Sequence, residues 1–208
     1  MPSSLLSDLK KRMEEDRNLP LRSGATQLVF GEGDPDAEIY FLGEAPGYHE
    51  DQQGRPFVGL AGKLLNESLE EIGLKRQEVY ISNVVRFRPP GNRDPLPEEL
   101  AAFDPYIDEE IKIINPKLIV TLGRFSMGKF IPNAKISQIH GKPLFINWSS
   151  QEIMVLPMFH PAAALRSEEV LKMFKQDFKK IPQLLKEPVQ VEKKEESTKS
   201  ANKQLELL

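Results

Sequence analysis

The stretch Phe41–Leu65, "FLGEAPGYHEDQQGRPFVGLAGKLL", decides the fold prediction. It starts at the end of a short apolar strand, Ala37–Gly43, and continues through glycines and prolines on both sides of an acidic turn. It then enters a helix, because apolar residues recur at helical spacing as far as Ile72. A strand, a loop and a helix in this order form the repeating unit of α/β proteins. So many glycines in the loop indicate that another molecule approaches the main chain closely there.

The same order of strand and helix recurs along the rest of the chain. Further strands are predicted at 79–85 ("VYISNVV") and 117–123 ("KLIVTLG"), followed by a hairpin of "PLFINW" and "EIMVLPMF". A helix is expected over 97–114, with a kink or break at Pro105, and an amphipathic helix with Ser167 as its N-cap closes the domain. We therefore expect a three-layer α/β/α fold with a central, mostly parallel sheet of four to five strands.

Composition limits the class of protein. The 208 residues fit one domain, 1–186, followed by a polar tail, 187–208, that we expect to be disordered. The chain has no cysteine, which excludes disulfides and thiolate metal sites. No apolar run approaches the ~20 residues of a membrane span, and the first residues lack a signal-peptide core. We expect a cytoplasmic protein, monomeric by default and without a membrane partner.

The net charge of −3 does not indicate a nucleic-acid partner. A local basic face can still bind phosphates while acidic residues lie elsewhere. The cations that could form such a face are Arg86, Arg88, Arg93, Arg124, Lys142 and Arg166.

Three polar side chains are predicted at one edge of the sheet. Glu44 follows the first strand, Asn83 lies near the end of the second, and His160 follows the last. Ligands of open α/β sheets bind beyond the carboxyl ends of the strands, so this edge is a candidate active site. Each residue also has a purely structural interpretation. Asn83 could be a buried amide paired with backbone, His160 a turn cap, and Glu44 a solvated turn residue.

Other conspicuous residues are expected to be structural. His49 is expected in an exposed loop, His140 in a structural position, and Trp148 and Met154 in the core. The segment Gly123–Phe130, "GRFSMGKF", nearly matches the phosphate-loop pattern but ends in phenylalanine where a magnesium-binding hydroxyl is needed. A nucleotide-hydrolase interpretation is therefore disfavoured.

Three segments together resemble a known family. "GEAPGYHEDQQGRPFVGLAGKLL", "ISNVVRFRPPGNRDP" and "FHPAAALR" are similar, in order and spacing, to the uracil-DNA glycosylase superfamily, and specifically to its bacterial and archaeal iron–sulfur branch. The resemblance extends from about Gln27 to Leu185. It implies a monofunctional enzyme that flips uracil out of DNA, hydrolyses its N-glycosidic bond and leaves an abasic site. A glycosylase for hypoxanthine or xanthine, and a catalytically weak nucleic-acid-binding member, are the alternatives.

The resemblance also implies roles for individual residues. Backbone amides around Gly43, Glu44 and Ala45 would contact a uracil carbonyl, and Glu44 would stabilise the sugar cation and position water. Phe57 would stack on the base. Asn83 would bind the base edge, and His160 would stabilise negative charge on the other carbonyl. The residues expected to contact DNA are Arg86, Arg88, Arg93, Leu165 and Arg166, with Leu165 and Arg166 wedged into the duplex.

The chain departs from the family pattern at several positions. The aspartate and tyrosine of the best-known branch are replaced by Ala45 and Gly47, so exclusion of thymine needs another explanation. The cysteines that hold the cluster in the iron–sulfur branch have no counterpart. We expect a colourless protein without metal or cofactor, in which apolar packing fills the cluster volume. The residues at the cysteine positions are Asp16, Leu19, Phe87 and Phe103.

The chain ends in "QLELL", which is similar to the short peptides that bind the bacterial sliding clamp. The residues that would make this contact are Gln204, Leu205, Leu207 and Leu208. A flexible tail with such a peptide would raise the concentration of the enzyme near replicating DNA.

Overall fold

Six strands form one sheet in the computed structural model, which describes residues 1–149 and 151–186. In chain order the strands are β1 (Glu32–Gly33), β2 (Ile39–Gly43), β3 (Tyr80–Asn83), β4 (Leu118–Leu122), β5 (Leu144–Trp148) and β6 (Gln151–Met158). Their order across the sheet is β1-β3-β2-β4-β6-β5. The four central strands are parallel, and the two edge strands are antiparallel to their neighbours. The mostly parallel sheet and the terminal hairpin are confirmed. The sheet has six strands rather than four to five because the two-residue β1 is too short to produce a periodic pattern.

Nine α-helices lie within the described residues. They are α1 (Pro2–Glu15), α2 (Tyr48–Gln53), α3 (Leu60–Glu71), α4 (Pro97–Ile114), α5 (Arg124–Phe130), α6 (Ile136–Ile139), α7 (Pro161–Ala164), α8 (Glu168–Phe178) and α9 (Ile181–Lys186). None of these helices is both long enough and apolar enough to cross a membrane.

Two hydrophobic cores lie on opposite faces of the sheet. Because successive strand side chains alternate in direction, Tyr40 and Leu42 face one core while Ile39 and Phe41 face the other. The first core contains buried residues of α1 and α4, and the second contains those of α3, α8 and α9. This arrangement confirms the three-layer prediction.

Several helices differ from the sequence expectations. Helices α6 and α7 have no predicted counterpart, and the expected closing helix is divided into α8 and α9. Helix α1 has no counterpart among the predicted elements, and α2 forms where an acidic turn is expected. Helix α4 continues through Pro105, so the expected break is absent. The predicted cap of α8 is confirmed, since the Ser167 side chain accepts a hydrogen bond from the Val170 amide at 3.4 Å. The predicted tail, 187–208, lies outside the described residues.

Arg86 does not belong to a surface for DNA, and this prediction is wrong. Its side chain is 1% exposed and forms a 2.6 Å ion pair with Glu110, which is completely buried. The Tyr40 and Tyr80 hydroxyls donate to the same carboxylate. A buried charge is stable only when it is paired and hydrogen-bonded, so this cluster ties the end of β3 to α4.

The other residues that are expected to be structural agree with that interpretation, except that His49 lies in helix α2 rather than in a loop. His49 is exposed, Met154 is buried, and Trp148 packs against the core. The His140 imidazole Nδ1 lies 2.6 Å from Asp177 Oδ2, which links the loop after α6 to α8.

Candidate active site

A cavity of about 550 Å³ opens at the carboxyl ends of the parallel strands. Its walls include residues from the ends of β2 and β3 and from the loops after β4 and β6. The cavity is lined by the three polar side chains predicted at this edge and by the aromatic ring that the family resemblance adds to them. They are Glu44, Phe57, Asn83 and His160.

The Phe57 ring forms one wall of the cavity. It is 5% exposed, and its centroid lies 5.7 Å from that of the His160 ring, with 30° between the planes. A Cβ at Gly43 would lie 2.5 Å from Phe57 Cζ and 2.4 Å from Asn83 Oδ1. Only glycine at the end of β2 therefore lets the ring and the amide lie side by side. Phe57 itself has φ 50, in the left-handed region that a bulky residue rarely adopts.

Asn83 is the buried polar group of the cavity. It is 2% exposed, and its Oδ1 has no hydrogen-bond partner among the described residues. An unpaired amide oxygen in such a place costs free energy, which a ligand donor can recover. If Asn83 were only a buried amide paired with backbone, its Oδ1 would accept a hydrogen bond, and it accepts none from the described residues.

His160 caps a helix, in agreement with its structural interpretation, and it also lines the cavity. Its Nδ1 accepts a 3.1 Å hydrogen bond from the Ala162 amide and so caps α7. Burial lowers the pKa of His160 to about 4, with Glu50 opposing the shift and Arg166 adding to it. The ring is therefore neutral at pH 7. Because Nδ1 is the acceptor, the ring proton lies on Nε2, and this N–H donor has no partner among the described residues.

Glu44 and Ala45 also line the cavity. The carbonyls of Gly43 and Glu44 accept from the amides of Val84 and Val85, at 3.0 and 3.1 Å. Since a trans peptide directs its N–H opposite its C=O, the amides of Glu44 and Ala45 point away from β3. Burial raises the pKa of the Glu44 carboxyl to about 7, with Asp94 adding to the rise and Arg124 opposing it. The interpretation of Glu44 as a solvated turn residue does not fit this burial.

Glu50 is a cavity residue that the sequence analysis missed. Its Oε1 accepts from the amides of Val58 and Gly59, at 2.9 and 2.8 Å, and so ties the loop after Phe57 to α2. In the sequence, Glu50 is marked only by the acidic composition of its segment. Its hydrogen-bond partners cannot be predicted there, because they depend on how the following loop folds back onto α2.

Three cationic side chains of the predicted basic face surround the cavity mouth. Arg93, Arg124 and Arg166 line it and are exposed, and Leu165, beside Arg166, is 49% exposed. Two of the arginines are paired, Arg93 with Glu99 at 2.6 Å and Arg124 with Asp94.

The remaining predicted cations do not line the cavity. Arg88 is half-buried with its guanidinium 5.2 Å from the Tyr48 ring centroid, and Lys142 is exposed in the loop after α6. Their place in a basic face stays a prediction.

Gly123, the first glycine of the segment that resembles a phosphate loop, is explained by local packing rather than by phosphate binding. Gly123 has φ 96, and a Cβ there would lie 3.1 Å from the His160 Cβ. Glycine is therefore needed because this turn packs against the His160 loop. Phe130, at the position of the missing hydroxyl, is buried.

The positions of the family's cluster cysteines do not fit an iron–sulfur cluster. Phe87 and Phe103 are buried with ring centroids 6.2 Å apart, and the Arg22 guanidinium lies 4.9 Å from the Phe87 centroid. Leu19 is also buried in this core, and Asp16 accepts a 2.7 Å hydrogen bond from the Tyr106 hydroxyl. Two of these positions hold aromatic rings that pack near each other, and none of the four side chains offers the thiolate sulfur that such a cluster needs.

Comparisons with known proteins agree with this geometry. The sequence model of the uracil DNA glycosylase superfamily matches residues 30–186. The chain is 47% identical to the type-4 uracil-DNA glycosylase of Sulfurisphaera tokodaii, over 86% of this chain and 84% of that protein. It is 42% identical to the type-4 enzymes of Archaeoglobus fulgidus and Thermotoga maritima, which it covers over 92% and 95% of their lengths. The chain therefore belongs to the uracil DNA glycosylase superfamily.

Proposed function

We propose that this protein is a uracil-DNA glycosylase that binds an everted uracil in the cavity and hydrolyses its N-glycosidic bond. The observation that carries the proposal is the buried Asn83 Oδ1, which has no partner among the described residues and lies in the same cavity as the Phe57 and His160 rings. The type-4 uracil-DNA glycosylases to which the chain is similar support the same reaction. An enzyme that acts on a base must take it out of the stack into a pocket of this kind.

Asn83 selects the base through its hydrogen-bonding edge. Uracil presents an N3–H donor between two carbonyls, and Oδ1 of Asn83 is the acceptor for that N–H. Its NH₂ group is a donor for the neighbouring carbonyl. Cytosine has no hydrogen on N3, so the same oxygen would face a lone pair in a dry site. A site built to pair a substrate N–H rejects analogues that lack it.

Bond cleavage needs stabilisation of two opposite charges. When the C1′–N1 bond breaks, its electron pair stays on uracil and the sugar becomes an oxocarbenium-like cation. The Nε2–H of His160 and the amides of Glu44 and Ala45 donate to the carbonyl oxygens over which the negative charge of uracil spreads. The carboxylate of Glu44 stabilises the sugar cation and orients the water that adds to C1′, whose proton passes to solvent. Uracil leaves as an anion and an abasic site remains.

Strand cleavage by an amine nucleophile is not part of the mechanism. Among the described residues, no lysine lines the cavity, so a Schiff base with C1′ has no candidate donor. The abasic strand is expected to stay intact until it is treated with alkali.

The decisive test is incubation with oligonucleotides that carry one uracil, hypoxanthine, xanthine or mispaired thymine. Alkali-labile sites should appear at uracil, and none should appear without alkali. Sites at hypoxanthine or xanthine instead would identify a glycosylase for another deaminated base. DNA binding without any abasic product would identify the catalytically weak alternative.

Replacement of Glu44 with glutamine should change both the pH dependence of activity and that of stability. If the ionised carboxylate is required, wild-type kcat/KM rises with pH around 7, because burial raises the Glu44 pKa to about 7. Glu44→Gln should lower kcat/KM at pH 8 by about 10²-fold. In Glu44→Gln, kcat/KM should no longer rise with pH around 7; this rise is called the pH step below. Asp94→Asn should move the step to lower pH, since Asp94 contributes to the raised pKa.

The same substitution should affect stability in the opposite direction to activity: as the pH rises to 8, Glu44→Gln should gain stability relative to wild type. The folded state holds the Glu44 proton more tightly than the unfolded chain, whose carboxyl has the ordinary pKa of 4.5. The stability that this provides is complete below pH 4.5 and is lost as the pH rises through about 7. The Tm of Glu44→Gln relative to wild type should therefore increase from pH 5 to pH 8. A Tm difference that does not depend on pH would contradict this assignment.

For the tail, we propose that Gln204–Leu208 binds the sliding clamp. Deletion of these residues should abolish binding of the protein to immobilised clamp, while uracil release from a short oligonucleotide stays unchanged. Deletion of residues 197–201 removes the same number of polar-tail residues and should preserve clamp binding. Equal clamp binding by the two deletion variants would refute the proposal.

A further inference from the structure

We propose that Arg76 is a positioning residue that holds the Phe57 ring in place for the base, although it lies outside the cavity. The inference rests on the proposed function, in which Phe57 stacks on uracil. It concerns a side chain in the 3₁₀ helix Arg76–Glu78 that contacts the backbone of the Phe57 loop.

The Phe57 backbone needs an external restraint. Its φ of 50 is in a region that phenylalanine rarely adopts, and such conformations persist only where the surroundings impose them. The peptides on both sides of the ring are held by charged side chains. Glu50 binds the amides of Val58 and Gly59, and Arg76 binds the carbonyls of Pro56 and Phe57.

The guanidinium of Arg76 uses all five of its N–H donors. Nη1 donates to the carbonyl of Phe57 at 3.2 Å and to Asn66 Oδ1 at 2.9 Å. Nη2 donates to the Pro56 carbonyl and to Glu32 Oε1, and Nε donates to the same Glu32 oxygen at 2.9 Å. Arg76 therefore joins β1, α3 and the Phe57 loop. Lysine has only three donors on one atom and cannot reproduce this planar arrangement.

Close packing against α3 prevents the Phe57 loop from moving toward that helix. A Cβ at Gly62, in the first turn of α3, would lie 1.9 Å from the Phe57 carbonyl oxygen. The carbonyl thus contacts the α3 backbone on one side and Arg76 on the other. Loss of Arg76 would free the carbonyl to turn, and the ring at the cavity wall would move with it.

The test compares Arg76→Gln with a control of similar burial. Lys129 is 8% exposed and bridges Asp104 and Asp108, so Lys129→Gln also removes a partly buried ion pair, but away from the cavity. Free uracil is used as a product inhibitor that occupies the base pocket alone, and binding to abasic DNA is measured separately.

We expect Arg76→Gln to raise the inhibition constant for free uracil on the order of tenfold, as expected for loss of base stacking. Its kcat/KM should fall by about 10²-fold, as for a misplaced contact. Its affinity for abasic DNA should be retained, and Arg76→Lys should recover only part of the loss. Lys129→Gln should lower Tm without a change in uracil inhibition.

A double-mutant cycle separates positioning from general destabilisation. If Arg76 acts through the ring, Arg76→Gln should have no further effect on uracil inhibition in a Phe57→Ala background. Additive effects of the two substitutions, or unchanged inhibition in Arg76→Gln, would overturn the inference. Wild-type protein that releases no uracil would instead refute the proposed function, so the two failures are distinguishable.

Discussion

Asn83→Ala is expected to lower kcat/KM on uracil-containing DNA by about 10³-fold or more, without a loss of stability. Alanine removes both the acceptor for uracil N3–H and the donor for its neighbouring carbonyl. The polar edge of the base would then be buried without partners, which a dry pocket makes costly. The measurement is single-turnover release of uracil from an oligonucleotide, together with the inhibition constant for free uracil.

The stability part of this prediction follows from the unpaired oxygen. Asn83 Oδ1 has no protein partner within the described residues, so its removal breaks no hydrogen bond of that atom in the free enzyme. The Tm of Asn83→Ala should equal or exceed that of wild type. Loss of activity together with gain of stability is the signature of a residue kept for function.

Thr121 provides a matched control. It is completely buried in β4, its Oγ1 is also unpaired among the described residues, and it does not line the cavity. Thr121→Val removes a buried, unsatisfied hydroxyl and should leave kcat/KM unchanged. If Asn83→Ala were as active as Thr121→Val, Asn83 would not bind the base edge and the site would be misassigned.

The sequence predicted the architecture well because the fold depends on local patterns. The apolar runs of β2, β3, β4 and β6 alternate with helices, and this order requires parallel strands with helices on both faces. The carboxyl ends of parallel strands meet at one edge of the sheet. Glu44, Asn83 and His160 each follow or end such a strand, so their positions in the chain are enough to predict that they line one cavity.

The errors concern interactions between residues that are distant in the chain. Arg86 lies in a basic segment, which favours a surface position, but its partner Glu110 lies 24 residues away on α4. The positive charge of a side chain does not indicate whether a buried carboxylate will neutralise it. The role of Arg76 was likewise invisible, because its acceptors come from three separate elements.

The missed helix α1 had a signal in the sequence. Leu6, Leu9 and Met13 are buried on one face and recur at helical spacing. Helix α2 is only six residues long, too short for a periodic pattern, and it begins after Gly47 without a side-chain cap. Its importance for the site comes from Glu50, whose partners depend on the fold of the following loop.

Substitutions of His160 should separate its structural role from its proposed catalytic role. His160→Ala is expected to lower kcat by about 10²–10³-fold, as for loss of one donor to a developing oxyanion. Its affinity for abasic DNA should change much less, because the donor is needed mainly as charge develops in the transition state. Single-turnover rates and equilibrium binding to abasic DNA give the two quantities.

Two further variants divide the functions of the ring between its nitrogens. The side-chain oxygen of asparagine can replace Nδ1 as the acceptor that caps α7, but asparagine is too short to place a donor where Nε2–H lies. Glutamine reaches the Nε2 position with an NH₂ donor and is a poor cap. His160→Asn should therefore be the more stable variant and His160→Gln the more active one.

The pH profile completes this prediction. Because burial lowers the pKa of His160 to about 4, the imidazole is neutral above pH 5 and its protonation contributes no step near pH 7. The step that we assign to Glu44 should therefore persist in His160→Gln at a lower overall rate. If His160→Asn were as active as His160→Gln, or if the step near pH 7 disappeared in both variants, His160 could not act as a neutral donor from Nε2.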